Sequence, residues 1–246
     1  MSGFGIIYRH ILRKLLRLRR LVGLGAVSAV PALLLLVIER RDFGSAKAAY
    51  QELTAQLFLA VVIPLVTLLL ASAALGDERR NKTMPYLYLK PVRRSVIVGA
   101  ATAATFSAAM VVGLIGWAAG WVVSSLQTGS WALAVPVLAA LAINAALYSA
   151  VFLPLGYLSR WSVLIGLAYI FVWEAALASA IDALGSSSLL RIGMSAYAAL
   201  TDLSRDALEI LGSVTPGVGG AVAKTVVILG LSAALTTAVL RRTDTR

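Results

Sequence analysis

Cysteine is absent from the 246 residues, and histidine occurs once, as His10. Disulfides, zinc–thiolate centres and thiol nucleophiles are therefore excluded. Charge is scarce as well, on 13% of residues against the roughly 25% of an ordinary soluble domain. What fills the chain instead is apolar: 60% of residues are hydrophobic and the mean hydropathy is +0.88. A soluble globule of that composition would lack the polar side chains to cover its core, which points to an integral membrane protein. The net charge of +11, from 22 Lys+Arg and 11 Asp+Glu, admits two origins: nucleic-acid binding, or asymmetric loop charge across a bilayer. Its distribution decides between them.

A nearly uncharged run of about 20 residues can cross the hydrocarbon as a helix. Six such runs are present, at approximately 21–38, 57–75, 95–123, 131–158, 161–181 and 221–240. The uncharged stretch from Ser95 to Ser159 is too long for one crossing and must fold back. Its break falls at the polar turn Ser124–Ser130, between Trp117 and Trp121 on one side and Trp131 on the other, as interfacial aromatics should lie. Sixteen of the 22 Lys and Arg fall on one side of this arrangement: six before residue 21, six at Arg79, Arg80, Lys82, Lys90, Arg93 and Arg94, then Arg160 and three at the C-terminus. By the positive-inside rule that side is cytoplasmic and holds both termini. The basic charge is thus topology, and no nucleic-acid partner is called for.

The basic start followed by an apolar stretch and Ala46-Lys47-Ala48 imitates a secretory signal. Run 21–38 is longer than the roughly 7–15 residues of a signal's apolar region, so it reads as a span. Residues 4–20 place Ile7, Ile11, Leu15 and Leu18 on one helical stripe, with Arg9, Arg13, Lys14, Arg17 and Arg20 largely off it. That pattern predicts an amphipathic helix lying in the membrane surface, anchoring the first span. His10 is an interfacial side chain of that helix.

The segment 76–94 concentrates Met84, Tyr86, Leu87, Tyr88 and Leu89 between charged ends. Asp77 and Glu78 read as the start of a short helix, where the macrodipole favours anions, and Pro91 with Arg93-Arg94 closes it. The apolar and aromatic groups require either a protein groove or the membrane interface.

Here the residues carry a resemblance. Glu78-Arg79-Arg80, then Thr83-Met84, Leu87 and Pro91-Val92-Arg93-Arg94 resemble the signature of permease subunits in the type-2 exporter class of ABC transporters. The resemblance implies that loop 76–94 is a coupling loop, with Asp77, Glu78, Arg79, Thr83, Met84, Tyr86, Leu87, Tyr88, Leu89, Pro91 and Arg94 meeting a separate ABC ATPase subunit. It also implies that residues 4–20 form an elbow helix, and that a second permease copy completes the transporter, as a homodimer or a pseudo-symmetric heterodimer. The expected setting is a prokaryotic cell membrane, multi-pass in the lipid bilayer. Lys82 stands where the family has glycine, and Pro85 lies inside the helix region.

No cofactor is expected in this chain; ATP and Mg would sit on the partner ATPase. The nearest imitation of a phosphate loop, Gly219 to Thr225, lacks the glycine before Lys224 and opens an apolar span. An ATP-independent scaffold or an intramembrane enzyme is the alternative. For the enzyme, the second carboxylate at helical spacing from Glu174 is Asp182, about 12 Å along a helix axis and too far to cooperate, and no catalytic residues or metal ligands are assigned.

The fold class expected is all-α: a single polytopic domain over 1–246 with six transmembrane helices, the elbow helix and cytoplasmic termini. Buried ionisable groups are costly in a span, which makes Glu174 a candidate in the substrate path. It has three open roles: facing a watery vestibule, pairing with Arg191 or Lys224, or contacting a cationic substrate. Asn144, mid-span, is a candidate either for an interhelical hydrogen bond or for substrate. Gly113, Gly116 and Gly120 suit close helix approach or hinge motion. In the external segment 182–220, residues 196–211 read as a short amphipathic helix on the outer surface. The resemblance adds that such helices help to close the outer gate.

Overall fold

The computed structural model describes residues 3–37, 45–80, 93–132, 134–177, 188–202 and 217–243. Among these the chain is helix joined by short turns, without strand. In hydrocarbon each N–H and C=O must find its partner within the segment, and a helix does this locally.

Helix α1 (Gly3–Leu15) buries Ile11 and Leu15 and leaves Arg9, His10 and Arg13 exposed. A turn at Leu16 and Arg17 separates it from α2 (Leu18–Val37). The expected single stripe over 4–20 is therefore interrupted, and Leu18, beyond the turn, is exposed.

The next helix is continuous in three parts: α3 (Ala46–Glu52), a π-helical segment (Leu53–Val62) and α4 (Ile63–Arg80). At its centre the Ile63 N–H donates to the Phe58 carbonyl five residues back. Pro64 follows at once and has no N–H to continue an i→i−4 ladder, so the wider turn ends at a residue that cannot donate.

Helix α5 (Arg94–Thr128) and helix α6 (Ala134–Leu158) form the expected hairpin. It turns at Gly129, whose φ of 71° is left-handed and suits glycine. Trp117 stacks on Trp121, which meets the edge of Trp131. Trp117 Nε1 donates to the Ala134 carbonyl at 2.9 Å, tying the two helix ends together. Helix α7 (Ser162–Ala168) runs into a second π-helical segment (Tyr169–Leu177), then come α8 (Leu189–Leu200) and α9 (Val218–Thr243).

Among the described residues, five helices are long and apolar enough to cross a membrane: Leu18–Val37, Ala46–Gly76, Arg94–Thr128, Ala134–Leu158 and Val218–Leu240. The run expected at 161–181 is described only to Leu177 and is shorter than these. Helix α6 is the hub, packed against α4, α5, α8 and α9. Two-thirds of its apolar window is buried (67%), against 22% for α2 and 11% for α9 at the flanks.

Glycine sets how near the helices come. A Cβ at Gly116 of α5 would fall 2.2 Å from the Ser28 carbonyl oxygen of α2, and one at Gly156 of α6 would fall 2.8 Å from Ser72 Cα of α4. Gly113 is similarly tight against Leu141, whereas Gly120 makes only ordinary contact with Tyr50.

Helix α1 lies along α5. The Tyr8 hydroxyl donates to Ser107 Oγ at 2.9 Å, and the Tyr8 ring stacks on Phe4, itself beside Gly99. The amphipathic helix is thereby fastened to the bundle as well as suited to a membrane surface.

Candidate functional site at a buried helix

The residues expected to receive an ATPase fall into three groups. Asp77, Glu78 and Arg79 lie in the last turn of α4, which runs to Arg80. They therefore extend a spanning helix at its C-terminus, where the expectation was the start of a short helix. Thr83, Met84, Tyr86, Leu87, Tyr88, Leu89 and Pro91 lie outside the described residues, as do Asn81, Lys82, Pro85, Lys90 and Val92. Arg94 opens α5, with Arg93 as its non-helical cap.

Glu174 lies in the second π-helical segment and is 6% exposed. Its carboxylate faces the N-terminus of α8. Oε1 accepts the Leu189 N–H at 2.9 Å and the Leu190 N–H at 3.4 Å, and Oε2 accepts the Ser188 hydroxyl. The Tyr169 hydroxyl donates to Oε1 at 2.9 Å, and that of Tyr148 approaches at 3.5 Å.

Local backbone explains how Tyr169 and Glu174 meet. In an α-helix, residues five apart point about 140° away from each other. The wider π turn brings them toward one face. At the far side of the contact, Ser188 is an extended N-cap whose Oγ also accepts the Arg191 N–H at 3.2 Å. The first turn of α8 thus has three backbone donors satisfied by two side chains, with an anion at the positive end of the helix.

Helix α8 is buried for most of its length, from Leu189 through Tyr197. The outer-surface helix expected at 196–211 is not what the described residues show: the helix here ends at Leu200, and 203–216 lie outside them. The apolar run Leu189-Leu190-Arg191-Ile192-Gly193-Met194 accounts for the difference. A helix apolar nearly all round belongs inside a bundle, and the charges from Asp202 to Glu209 come after it.

The start of α8 lies beside Tyr148, in the middle of α6, and Gly193 lies beside Asn144, one turn nearer the Gly129 end. The helix therefore rises from mid-depth toward the end of the bundle that carries the tryptophans. It is tied there twice. Gln51 Nε2 of α3 donates to the Asp202 carbonyl at 2.7 Å, and the Gly217 N–H, at the entry to α9, donates to the Ser195 carbonyl at 3.1 Å.

Asn144 is fully buried, and among the described residues neither its Nδ2 nor its Oδ1 has a hydrogen-bond partner. Its amide packs on the bare backbone of Gly193. The expected interhelical hydrogen bond is not made. Arg191 is 4% exposed, and its Nη1 has no partner among the described residues. The structure thus brings Glu174 and Asn144 to one helix, α8, at successive points along it, and among the described residues the partners of Glu174 are hydroxyl and amide donors. Ser188, Tyr148, Tyr169 and Gly193 were missed from sequence, although Ser186-Ser187-Ser188 before Leu189 is an N-cap signal.

A bundle of apolar helices around a buried half-length helix, with charged residues following α4, is the setting in which family relationship can be judged. The family described as ABC-2 family transporter protein matches residues 13–181. The chain belongs to that family. It is an ABC-2 type permease, a transmembrane component of an ABC transporter. The match takes in Glu174 and Asn144, while α8 and α9 follow it. No curated protein matches the chain. As an ABC-2 permease it is a multi-pass membrane protein and a transport component.

Proposed function

We propose that this permease forms the substrate path of an ATP-driven exporter whose ATP and Mg are bound by separate ABC ATPase subunits, this chain itself being non-catalytic. Six spans are proposed, the fifth beginning with α7 and its π-helical continuation. α1 serves as the elbow helix, and both termini are cytoplasmic in a prokaryotic cell membrane. The second permease copy is proposed to be identical. The apolar faces of α2 and α9, with Val22, Leu33, Leu36, Val226, Leu231 and Leu235 exposed, leave room for both lipid and that copy.

The observation that carries the mechanism is the capture of α8 by Glu174. A half-length helix starting at mid-depth closes the outer half of the bundle, and its N-terminus is held by one carboxylate. Transport requires two global states with different affinity for a ligand, here nucleotide on the ATPase. Closure of the ATPases would reach the bundle through the end of α4 and the start of α5, the two helices that loop 76–94 joins. Withdrawal of α8 would then free the Glu174 carboxylate and the Asn144 amide together. In that open state both face the path; in the closed state Glu174 positions α8.

Replacing Glu78 with alanine, or the Met84–Leu89 patch with serines, tests the coupling assignment in the complex purified with its ATPase. The expected result is ATP hydrolysis that no longer depends on transported solute, or loss of the ATPase during gentle extraction. Unchanged coupling and unchanged assembly in both variants would remove it.

A further inference from the structure

At the end of the bundle that carries α1 and the Gly76 end of α4, a cleft of about 560 Å³ opens between α4 and the α6–α7 turn. That volume lies within the roughly 300–1,000 Å³ of small-molecule sites. Gly76 and Gly156 form part of its wall, and Tyr157, Ser159, Arg160 and Trp161 complete most of the rest.

Among the described residues, the chemistry of the cleft is that of one cation beside an aromatic plane at the edge of an apolar wall. Arg160 is exposed, and its guanidinium lies 5.6 Å from the centroid of the Trp161 ring. It is the sole charged residue between Arg94 and Glu174. The turn that presents it is built: the Trp161 N–H donates to Ser159 Oγ at 3.0 Å, and the Ser162 N–H donates to the Ser159 carbonyl. Outward from the cleft runs an exposed apolar stripe at Leu158, Trp161, Leu164, Ile165, Phe171 and Val172. Leu158 ends α6 and Trp161 caps α7, and the other four follow along α7 and its π-helical continuation, so the stripe leads from the membrane edge into the hydrocarbon.

We propose that this cleft binds the headgroup of an anionic phospholipid, with Arg160 on the phosphate and the acyl chains lying along Leu158, Leu164 and Ile165. Charge and continuity choose the occupant. A soluble phosphate would use Arg160 but not the apolar stripe, and a neutral lipid would use the stripe but not Arg160. Trp161 serves both, its indole ring at the level where headgroup meets chain. The site lies at the junction of the two helices that lead to the coupling loop and to Glu174, so a lipid held there adjoins the moving parts. The assignment does not depend on the ATPase reading.

The test is native mass spectrometry of the purified full chain titrated with phosphatidylglycerol or with phosphatidylcholine of the same acyl chains. Phosphatidylglycerol is expected to bind first and about fivefold more tightly, the preference that one surface cation supplies. Arg160→Gln should reduce that ratio to about one, Arg160→Lys should keep most of it, and Arg19→Gln, at an exposed cation elsewhere, should leave it unchanged. A second measurement leaves the cleft intact: phosphatidylglycerol with brominated chains should quench Trp161 fluorescence more than brominated phosphatidylcholine at equal mole fraction, with Trp161→Phe identifying the signal. Equal affinity for the two lipids overturns the proposal, as does an Arg160→Gln ratio equal to that of the unmodified chain. Displacement of the lipid by millimolar glycerol 3-phosphate would make the cleft a soluble-phosphate site. Loss of a co-purifying ATPase with unchanged lipid retention would make it a subunit contact. Either result rejects the lipid.

Discussion

Asn144 lies where a side chain on Gly193 would have to go: a Cβ built on Gly193 falls 2.1 Å from Asn144 Oδ1. Helices α6 and α8 therefore touch at an amide pressed on bare backbone, and that amide is left without a partner at zero exposure. An unpaired buried polar group costs about 1–3 kcal/mol. The structure carries that cost, and the proposed withdrawal of α8 would relieve it.

Gly193→Ala is expected to destabilise the protein by about 1–3 kcal/mol through overpacking, because the added methyl meets the amide of Asn144, itself fully buried. Asn144→Ala in the same chain should return most of the loss, since it removes both the clash and the unpaired amide. Thermal unfolding of the four chains of this cycle in detergent checks it. Additive losses would mean the two residues do not meet.

Glu174 gives a graded series. Glu174→Gln keeps the shape but removes the anion from the α8 N-terminus, and about 1–2 kcal/mol of stability should go with it. Glu174→Ala should cost about 3–5 kcal/mol, because Ser188, Leu189 and Tyr169 then lose their acceptor together. Tyr169→Phe should cost more than Tyr148→Phe, in keeping with hydroxyl distances of 2.9 and 3.5 Å. Transport per assembled complex separates the roles. If Glu174→Gln unfolds early but moves solute normally once assembled, the carboxylate only positions α8; a transport defect larger than the assembly defect supports its place in the path.

Much of the fold could be read from where charge is missing. The turn at Gly129, flanked by Trp121 and Trp131, follows from a stretch too long for one crossing, and α2, α5, α6 and α9 lie close to their expected bounds. Long apolar runs are legible because lipid leaves a single local solution for the backbone. The π-helical segments are not legible: Leu53–Val62 and Tyr169–Leu177 are as apolar as their neighbours, and the widened turn shows only in which groups come together. The site was half legible. Glu174 and Asn144 are conspicuous as polar residues in spans, but what they face is decided by α8. The buried stretch Leu189–Tyr197 carries no charged face to announce it, and most of the amphipathic helix expected at 196–211 lies outside the described residues.

Gly156→Ala tests the contact of α6 with α4. The added methyl would meet Ser72 Cα at 2.8 Å and the Ala71 carbonyl oxygen at 3.0 Å. Both are backbone atoms in the middle of a spanning helix, so no rotamer change relieves the overlap. A loss of about 3 kcal/mol is expected. Gly120→Ala, whose new Cβ would meet only Tyr50 at 3.6 Å, should change stability little. Unfolding midpoints of the two variants, compared in one detergent, provide the check, and equal midpoints would contradict the close α4–α6 packing.

The two ends of α8 are anchored by different chemistry, and hydrogen exchange can tell them apart. At the inner end the Leu189 and Leu190 amides donate to Glu174; at the outer end the Gln51 side chain holds the Asp202 carbonyl. Gln51→Leu removes one of the two outer ties, leaving that of Gly217 to Ser195, and keeps a buried side chain of similar size. Exchange should then quicken at Tyr197–Leu200, where the last turn frays, and remain slow at Leu189 and Leu190. Glu174→Ala should do the reverse, exposing the first-turn amides while the outer turn stays tied to α3. If either variant speeds exchange equally along the whole helix, α8 moves as one rigid body released by any single anchor. Equal acceleration would favour withdrawal of α8 as a unit, whereas end-specific acceleration would favour opening by unwinding from one end, the distinction being whether local unfolding costs less than sliding the packed helix.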